Sequence, residues 1–174
     1  IWAFERLNKA GITKMAAIHR GFSSFEKGPF RNAPMWDLAI EMKTRIPELD
    51  MLCDPSHIAG NRDLISFVSQ KALDLDMVGL MIESHINPDA AWSDAKQQVT
   101  PLILGKIISE LVVRTVSTDN KAFKDTLSLL REQIDQLDDE IMSKMASRMK
   151  ISEKIGQYKK ENNVTIIQVN RWEE

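Results

Sequence analysis

The feature that most constrains the fold of this chain is a long apolar stripe in its last third. Apolar residues recur there at steps of three and four, at Leu127, Leu130, Ile134, Leu137, Ile141 and Met145. No glycine or proline interrupts the pattern before Gly156, and Asn162-Asn163 supplies a stop signal. The spacing predicts one helix of about forty residues, on the order of 60 Å long. A lone helix cannot bury such a stripe, so it requires partners.

The charges along this helix change sign from one end to the other. Its first half carries mainly acidic residues: Asp125, Glu132, Asp135, Asp138, Asp139 and Glu140. Its second half carries mainly basic residues: Lys144, Arg148, Lys150, Lys154, Lys159 and Lys160. This order suits the helix dipole and would make two antiparallel copies complementary. We therefore expect a homodimer through the long helix, with a solvated charged face as the alternative interpretation.

The earlier part of the chain alternates between short apolar runs and amphipathic stretches. Three runs have the composition of strands: residues 14–19, 50–54 and 78–83. Four stretches have the pattern of helices: residues 1–9, 35–46, 61–75 and 100–114. This alternation predicts an α/β fold with parallel strands and crossover helices. Three strands cannot close a barrel, so an eight-stranded (βα)8 TIM barrel would be represented only by its last three strands.

A polar segment separates the two regions. Residues 115–121 (T-V-S-T-D-N-K) lack periodicity and are interpreted as a linker. We expect a barrel-like domain at residues 1–114, a linker at 115–123 and a helical domain at 124–174. The chain opens with Ile1 inside an apparent helix, so we expect a piece of a longer sequence.

Composition narrows the classes of function. A net charge of -2 gives no electrostatic reason to expect nucleic acid or a membrane as a partner. The single cysteine, Cys53, excludes an internal disulfide framework and fits a reducing, cytoplasmic location. Neither a signal peptide nor a long apolar span is expected from the pattern.

Potential metal ligands follow the predicted strands. Residues 54–57 (D-P-S-H) come directly after the second strand, Glu83 ends the third, and Asp94 lies in the loop beyond it. Because the carboxyl ends of parallel barrel strands gather at one face, we expect His57, Glu83 and Asp94 to converge. One imidazole with two carboxylates suits Mn²⁺, Fe²⁺ or Zn²⁺. A structural histidine is the alternative for His57 taken alone.

The D-P-S-H motif, the strand-end glutamate and the S-D-A-K-Q loop resemble the shorter, bacterial type of 3-deoxy-arabino-heptulosonate-7-phosphate (DAHP) synthase. The resemblance implies a divalent metal held by His57, Glu83 and Asp94. It also implies a fourth ligand, a cysteine that would lie before Ile1, since Cys53 is not at its position. We expect Mn²⁺ first, with Fe²⁺, Zn²⁺ or Co²⁺ as alternatives.

The first strand ends in Arg20-Gly21, which resembles the family strand whose arginine holds the phosphate of phosphoenolpyruvate. A guanidinium binds a phosphoryl group through bidentate hydrogen bonds, and a glycine lets the backbone approach the ligand closely. A surface salt bridge is the alternative for Arg20. His19 is assigned no role beyond flanking the site, and residues 31–32 are interpreted as loop structure. The implied reaction condenses phosphoenolpyruvate with erythrose 4-phosphate.

Residues 124–174 are similar to the all-helical chorismate mutase family, which rearranges chorismate to prephenate. The similarity rests on the patterns L-R-x-x-I-D at 130–135, R-M at 148–149, K-K at 159–160 and Q-x-x-R at 168–171. It implies that cations hold the substrate carboxylates and ether oxygen, with a glutamine as polar contact: Arg131, Arg148, Lys159, Arg171 and Gln168. Trp172 departs from the acidic residue often found there.

The two resemblances imply a bifunctional enzyme of aromatic amino-acid biosynthesis (the shikimate pathway). We expect the isolated chain to be incomplete for both reactions. The alternative is a truncated or engineered fragment that only self-associates through its long helix. The apolar residues around the predicted helix at 100–114 would support that alternative, because an exposed face of this kind is an association surface.

Overall fold

The computed structural model describes residues 1–25 and 28–167 of the chain. Gln168 and Arg171, two of the expected substrate contacts, therefore lie outside the described residues. The chain divides into two compact units, Ile1–Val116 and Ser117–Glu174. Within the described residues, no helix is both long enough and apolar enough to cross a membrane.

The described residues of the first unit form three strands, which make one parallel sheet in the order β1-β2-β3: β1 Ala16–His19, β2 Asp50–Cys53 and β3 Gly79–Leu80. Its α-helices are α1 Trp2–Lys9, α2 Trp36–Arg45, α3 Pro55–Ala59, α4 Ile65–Asp74 and α5 Pro101–Glu110. Strand pairing places Ala17 opposite Met51, and Leu52 opposite Gly79. The α/β class and the parallel strands are confirmed, whereas closure of an eight-stranded barrel stays a prediction.

The core of the first unit lies between the sheet and the helices that cover it. Cys53 of β2, Ile58 of α3, and Ile65 and Val68 of α4 are all fully buried. Burying each such aliphatic side chain contributes roughly 1.5–3 kcal/mol, so this cluster fixes α3 and α4 against β2. The carboxyl end of β2 is thereby held rigidly, which matters for the site that begins there.

The short helix α3 was not expected from the sequence, although its signals are present. The side chain of Asp54 accepts a hydrogen bond from the backbone N–H of His57 at 3.0 Å, and Pro55 occupies the first helical turn. Gly60 ends the helix with a φ of 68°, a left-handed conformation that glycine adopts easily. An aspartate cap, a proline start and a glycine stop define the helix.

Strand β3 and helices α4 and α5 are shorter than the sequence predicts. The helix expected at 61–75 begins as α4 only at Ile65, after a 3-10 turn at Arg62–Leu64. Strand β3 has only two residues, and the chain continues as an isolated parallel bridge between Ser84 and Val99. The helix expected at 100–114 ends at Glu110. There, Gln70 of α4 accepts a hydrogen bond from the backbone N–H of Val112 at 2.9 Å and donates one to its carbonyl at 3.0 Å. This competing pairing holds the segment after α5 in a non-helical form.

Up to residue 167, where the description ends, the second unit contains one helix, α6, which spans Lys121–Glu161 and has 41 residues. The side chain of Asn120 caps it by accepting a hydrogen bond from the backbone N–H of Phe123 at 3.1 Å. No residue of α6 is buried, and the side chains of its apolar stripe from Leu130 to Met145 stay about half exposed. The single long helix is confirmed, and its apolar stripe is uncovered.

Burial makes a direct prediction for the one cysteine. Burial, together with the neighbouring charge of Asp54, raises the pKa of the Cys53 thiol to about 12. Because the thiolate is the reactive form, we expect no labelling of the folded chain by a disulfide reagent at pH 8. In guanidinium chloride one thiol per chain should react at once. Rapid labelling without denaturant would show that the β2 core opens readily.

Candidate metal centre

Three side chains from different segments come together at the carboxyl end of the sheet. His57 lies on α3 directly after β2, Glu83 follows β3, and Asp94 precedes the 3-10 turn Ala95–Gln97. One ligand atom from each of the three lies within 4.8 Å of the others. The parallel order of the strands produces this convergence, as the sequence argument required.

His57 is oriented by Asp54. Its Nδ1 lies 2.7 Å from Oδ2 of Asp54, whose side chain is fully buried. Because a carboxylate oxygen accepts, Nδ1 carries the hydrogen and donates it in this bond. The lone pair is left on Nε2, the nitrogen that faces Glu83 Oε1 at 3.7 Å. A carboxylate behind a histidine is the arrangement that commonly fixes the tautomer of a metal ligand.

Arg20 lies at the same edge and contacts the same carboxylate oxygen of Asp54 as His57 does. Its Nε is 3.2 Å from Asp54 Oδ2, and its side chain remains about half exposed. The side-chain amide of Asn32 donates to the carbonyl of Arg20 at 3.1 Å. Gly21 has a φ of 73°, and a Cβ there would press against Asn32 and the carbonyl of Ala33. The guanidinium is thus anchored near the three ligands with part of its surface open to an anion.

Glu83 is held from two sides. Its backbone N–H donates to Ser56 Oγ at 2.9 Å, so the residue is tied to the first turn of α3. Its Oε2 accepts a hydrogen bond from Nε2 of Gln97 at 2.8 Å. The second oxygen, Oε1, is the one that faces His57.

Asp94 has an unusual backbone and a strong partner. Its φ of 52° lies in the left-handed region, which aspartate tolerates better than most residues. Nη1 of Arg31 donates to its Oδ1 at 2.5 Å. This hydrogen bond, more than the charges around it, lowers the pKa of the Asp94 carboxyl below its ordinary value. The side chain is therefore anionic at neutral pH, as a metal ligand must be.

A second arginine holds the loop that carries Asp94. Arg62 donates from Nε to the carbonyl of Gln98 at 2.7 Å. Its Nη2 donates to the carbonyl of Ala95 at 2.7 Å and to Asp89 Oδ1 at 2.6 Å. These hydrogen bonds hold the loop, before and after its 3-10 turn, against Arg62, which lies just before α4.

The contacts of Arg31 and the role of Gln97 were not predicted from the sequence. Arg31 was interpreted as loop structure because nothing in a single sequence shows that it reaches across more than sixty residues to Asp94 and Gln97. Gln97 belongs to the S-D-A-K-Q motif, which was the available signal. His19, expected to flank the site, packs between the rings of Phe22 and Trp36, and its burial lowers the pKa of its imidazole.

The donor set fits a divalent metal. Two ligand atoms bound to one ion at about 2.1 Å lie at most about 4.2 Å apart, so the three atoms would have to move closer together to bind it. One neutral nitrogen and two carboxylate oxygens are compatible with Mn²⁺, Fe²⁺, Co²⁺ or Zn²⁺. Cys53 is buried in the core, in keeping with the view that it is not the family's cysteine ligand.

The expected substrate contacts of the second unit are spread along α6. Arg131 and Arg148 are exposed, whereas Lys159 is partly buried and its Nζ donates to the carbonyl of Ile166 at 2.9 Å. At 1.5 Å per residue, Arg131 and Lys159 lie about 42 Å apart along the axis. A single copy of α6 therefore does not gather these cations into one site.

Comparison with known proteins decides the family. The sequence model of the DAHP synthetase I family matches residues 2–118. The chain belongs to that family. The chorismate mutase type II family matches residues 130–174, so the chain joins a DAHP synthetase I region to a chorismate mutase type II region.

Relatives of the DAHP synthetase I region come from Thermotoga maritima. A phospho-2-dehydro-3-deoxyheptonate aldolase from that organism is 30% identical over 107 residues, which cover 62% of this chain and 31% of the relative. A solved structure of the aldolase, also called DAHP synthase, matches with a TM-score of 0.54 and 32% identity over 61% of this chain and 31% of that one. A truncated form matches with a TM-score of 0.53 and 32% identity, covering 61% and 40%. The chain thus spans about a third of the full-length relative.

The role of Asp54 can be tested through Mn²⁺ affinity. Asp54→Asn keeps the shape of the side chain but removes the charge that holds His57 in its tautomer. We expect Mn²⁺ binding, followed by the EPR signal of the free ion, to weaken by about 10- to 100-fold. Asp76→Asn, which removes a surface partner of Lys43, is the matched control and should bind as the wild type does. Equal affinity of both variants would contradict the assignment.

Proposed function

We propose that the first unit supplies the metal centre and the phosphate contact of a DAHP synthase, the enzyme that condenses phosphoenolpyruvate with erythrose 4-phosphate. The observation that carries this proposal is the convergence of His57, Glu83 and Asp94 beside Arg20. Membership of the DAHP synthetase I family supports it. Because the chain spans about a third of the full-length relative, the complete reaction is proposed for the barrel in which these residues act.

Each residue has a distinct part in this proposal. His57, Glu83 and Asp94 would hold a divalent metal, with Mn²⁺ proposed first. When bound, the metal supplies Lewis acidity that polarises the aldehyde of the acceptor. Arg20 offers an exposed guanidinium to the phosphate of phosphoenolpyruvate, and Asp54 keeps that guanidinium in place. The loop pinned by Arg62 keeps Asp94 on the same side as His57.

Phosphoenolpyruvate binding tests the proposal directly. Bound Mn²⁺ speeds the relaxation of nearby phosphorus nuclei, so wild-type protein with Mn²⁺ should broaden the ³¹P signal of phosphoenolpyruvate. His57→Ala should abolish the effect by losing the metal. Arg20→Ala should keep Mn²⁺, because Asp54 still contacts His57, but should lose most of the broadening with the proposed phosphate contact.

The control for this experiment is Arg114→Ala, which changes an arginine paired with Asp74 on α4. It should broaden the phosphorus signal as the wild type does. Broadening that survives in both His57→Ala and Arg20→Ala would refute the proposed site. A metal that binds without any effect on phosphoenolpyruvate would leave a metal centre but remove the synthase assignment.

For the second unit we propose chorismate mutase chemistry, the rearrangement of chorismate to prephenate. Arg131, Arg148 and Lys159 would bind carboxylates and stabilise the negative charge that develops on the ether oxygen. The match of residues 130–174 to the chorismate mutase type II family supports this assignment. Gln168 and Arg171 are proposed to complete the contacts. A fragment that only self-associates is not favoured by this match.

The spacing of the cations favours an antiparallel pair of α6 helices as the unit that builds such a site. The acidic half of α6 gives way to the basic half around residue 142. In an antiparallel pair centred there, position 131 of one copy lies opposite position 153 of the other, between Arg148 and Lys159. Acidic and basic halves then face each other, whereas a parallel pair would align like charges. We propose that a homodimer brings these cations together.

Sedimentation measures this dimer. Ile134→Asp with Ile141→Asp places two charges on the apolar stripe, so we expect the dimer to dissociate or the chain to aggregate, because a charge buried without a partner is strongly unfavourable. Gln136→Asp with Ser143→Asp adds the same charges at the same spacing about 160° around the helix and should leave the dimer intact. A dimer that survives the first pair of changes would place the interface elsewhere on the chain.

A further inference from the structure

Arg31 connects the two carboxylates of the candidate metal centre. We propose that Arg31 is a positioning residue, which holds Asp94 directly and Glu83 through Gln97 in the arrangement that receives a divalent cation. This inference rests on the metal centre proposed above and adds to it residues outside the ligand set.

The connection is a continuous chain of hydrogen bonds. Nη1 of Arg31 donates to Asp94 Oδ1 at 2.5 Å and to Gln97 Oε1 at 2.7 Å. The amide of Gln97 then donates from Nε2 to Glu83 Oε2 at 2.8 Å. Gln97 is only 1% exposed, so its amide is fixed with its oxygen toward Arg31 and its nitrogen toward Glu83. A movement of Arg31 therefore shifts both carboxylates together.

Arg31 is itself fixed to the helix that carries the third ligand. Its backbone N–H donates to the carbonyl of Ala59 at 3.3 Å, and the N–H of Asn32 donates to that of Ile58 at 3.3 Å. Gly60 leaves room for the arginine, since a Cβ at that position would overlap the Arg31 side chain. His57 lies on α3, and Arg31 is hydrogen-bonded to the same helix. Helix α3 therefore fixes the positions of all three predicted ligands relative to one another.

Charge alone predicts the opposite effect on metal binding. Around the site, three carboxylates (Asp54, Glu83 and Asp94) face two guanidinium groups (Arg20 and Arg31), which leaves one formal negative charge. Arg31 repels an incoming cation and occupies one oxygen of Asp94, so its removal would tighten binding if it acted only as a competing charge. If Arg31 acts by positioning, its removal weakens binding. The sign of the change separates the two roles.

The experiment measures Mn²⁺ affinity from the EPR signal of the free ion in the full chain. Arg31→Met removes the charge and keeps most of the stem, whereas Arg31→Lys keeps the charge but loses the planar guanidinium. We expect Arg31→Met to weaken Mn²⁺ binding by about 10- to 100-fold and Arg31→Lys to lie between it and the wild type. Arg45→Met is the matched control, since Arg45 pairs only with its helical neighbour Glu41 among the contacts described, and it should bind as the wild type does.

Two further measurements guard the interpretation. Thermal unfolding should shift little in Arg31→Met because the side chain is 49% exposed, and a purely structural role would move the unfolding midpoint and leave the affinity unchanged. Gln97→Met in the Arg31→Met background should weaken binding by much less than it does alone, because both changes break one chain of contacts. Should Arg31→Met fail to fold, the affinity of Arg31→Lys decides.

The outcomes are distinct. Unchanged or tighter Mn²⁺ binding by Arg31→Met, with binding lost in His57→Ala, overturns the positioning role and leaves the metal centre standing. Equal binding by the wild type and His57→Ala overturns the metal centre and this inference with it. Weaker binding by Arg31→Met, together with unchanged Arg45→Met, supports the inference.

Discussion

The buried carboxylate of Asp54 is the group on which the rest of the site depends. It caps α3, accepts a hydrogen bond from Nδ1 of His57 and forms an ion pair with Arg20. A carboxylate without exposure is stable only when its oxygens are satisfied, and these partners supply that satisfaction. The same requirement places the histidine and the arginine at fixed positions relative to β2. The contacts of Asp54 therefore both stabilise the fold and set the geometry of the site.

Around that carboxylate, each ligand is held by a different kind of support. His57 is fixed by a helix cap, Glu83 by the hydroxyl of Ser56, and Asp94 by a loop that Arg62 pins from behind. These supports hold the three predicted ligands close to one another within the protein itself. A site of this kind loses little conformational freedom when it binds a cation, which favours affinity. This geometry supports the proposed synthase function in addition to the family match.

The sequence predicted the strands and the meeting of the ligands because both follow from periodicity and from one general property of parallel sheets. It could not predict the reach of Arg31, because contacts across more than sixty residues leave no local pattern. The end of α5 at Glu110 was missed for a similar reason, as Gln70 captures the backbone of Val112 from another helix. Helix α3 was different, since Asp54, Pro55 and Gly60 signalled it locally. A helix of five residues is too short to show the repeated apolar spacing from which helices are predicted.

The two units differ in how they arrange their predicted site residues. In the first, the ligands lie within about forty residues of sequence, and β2, α3 and the pinned loop bring them together in one chain. In the second, Arg131, Arg148 and Lys159 lie on one continuous helix, and Arg131 and Lys159 are about 42 Å apart along its axis. A helix can present these groups on neighbouring faces but cannot fold them onto one ligand. A second helical surface, as proposed above, would cover the exposed apolar stripe and could also bring these cations into one site.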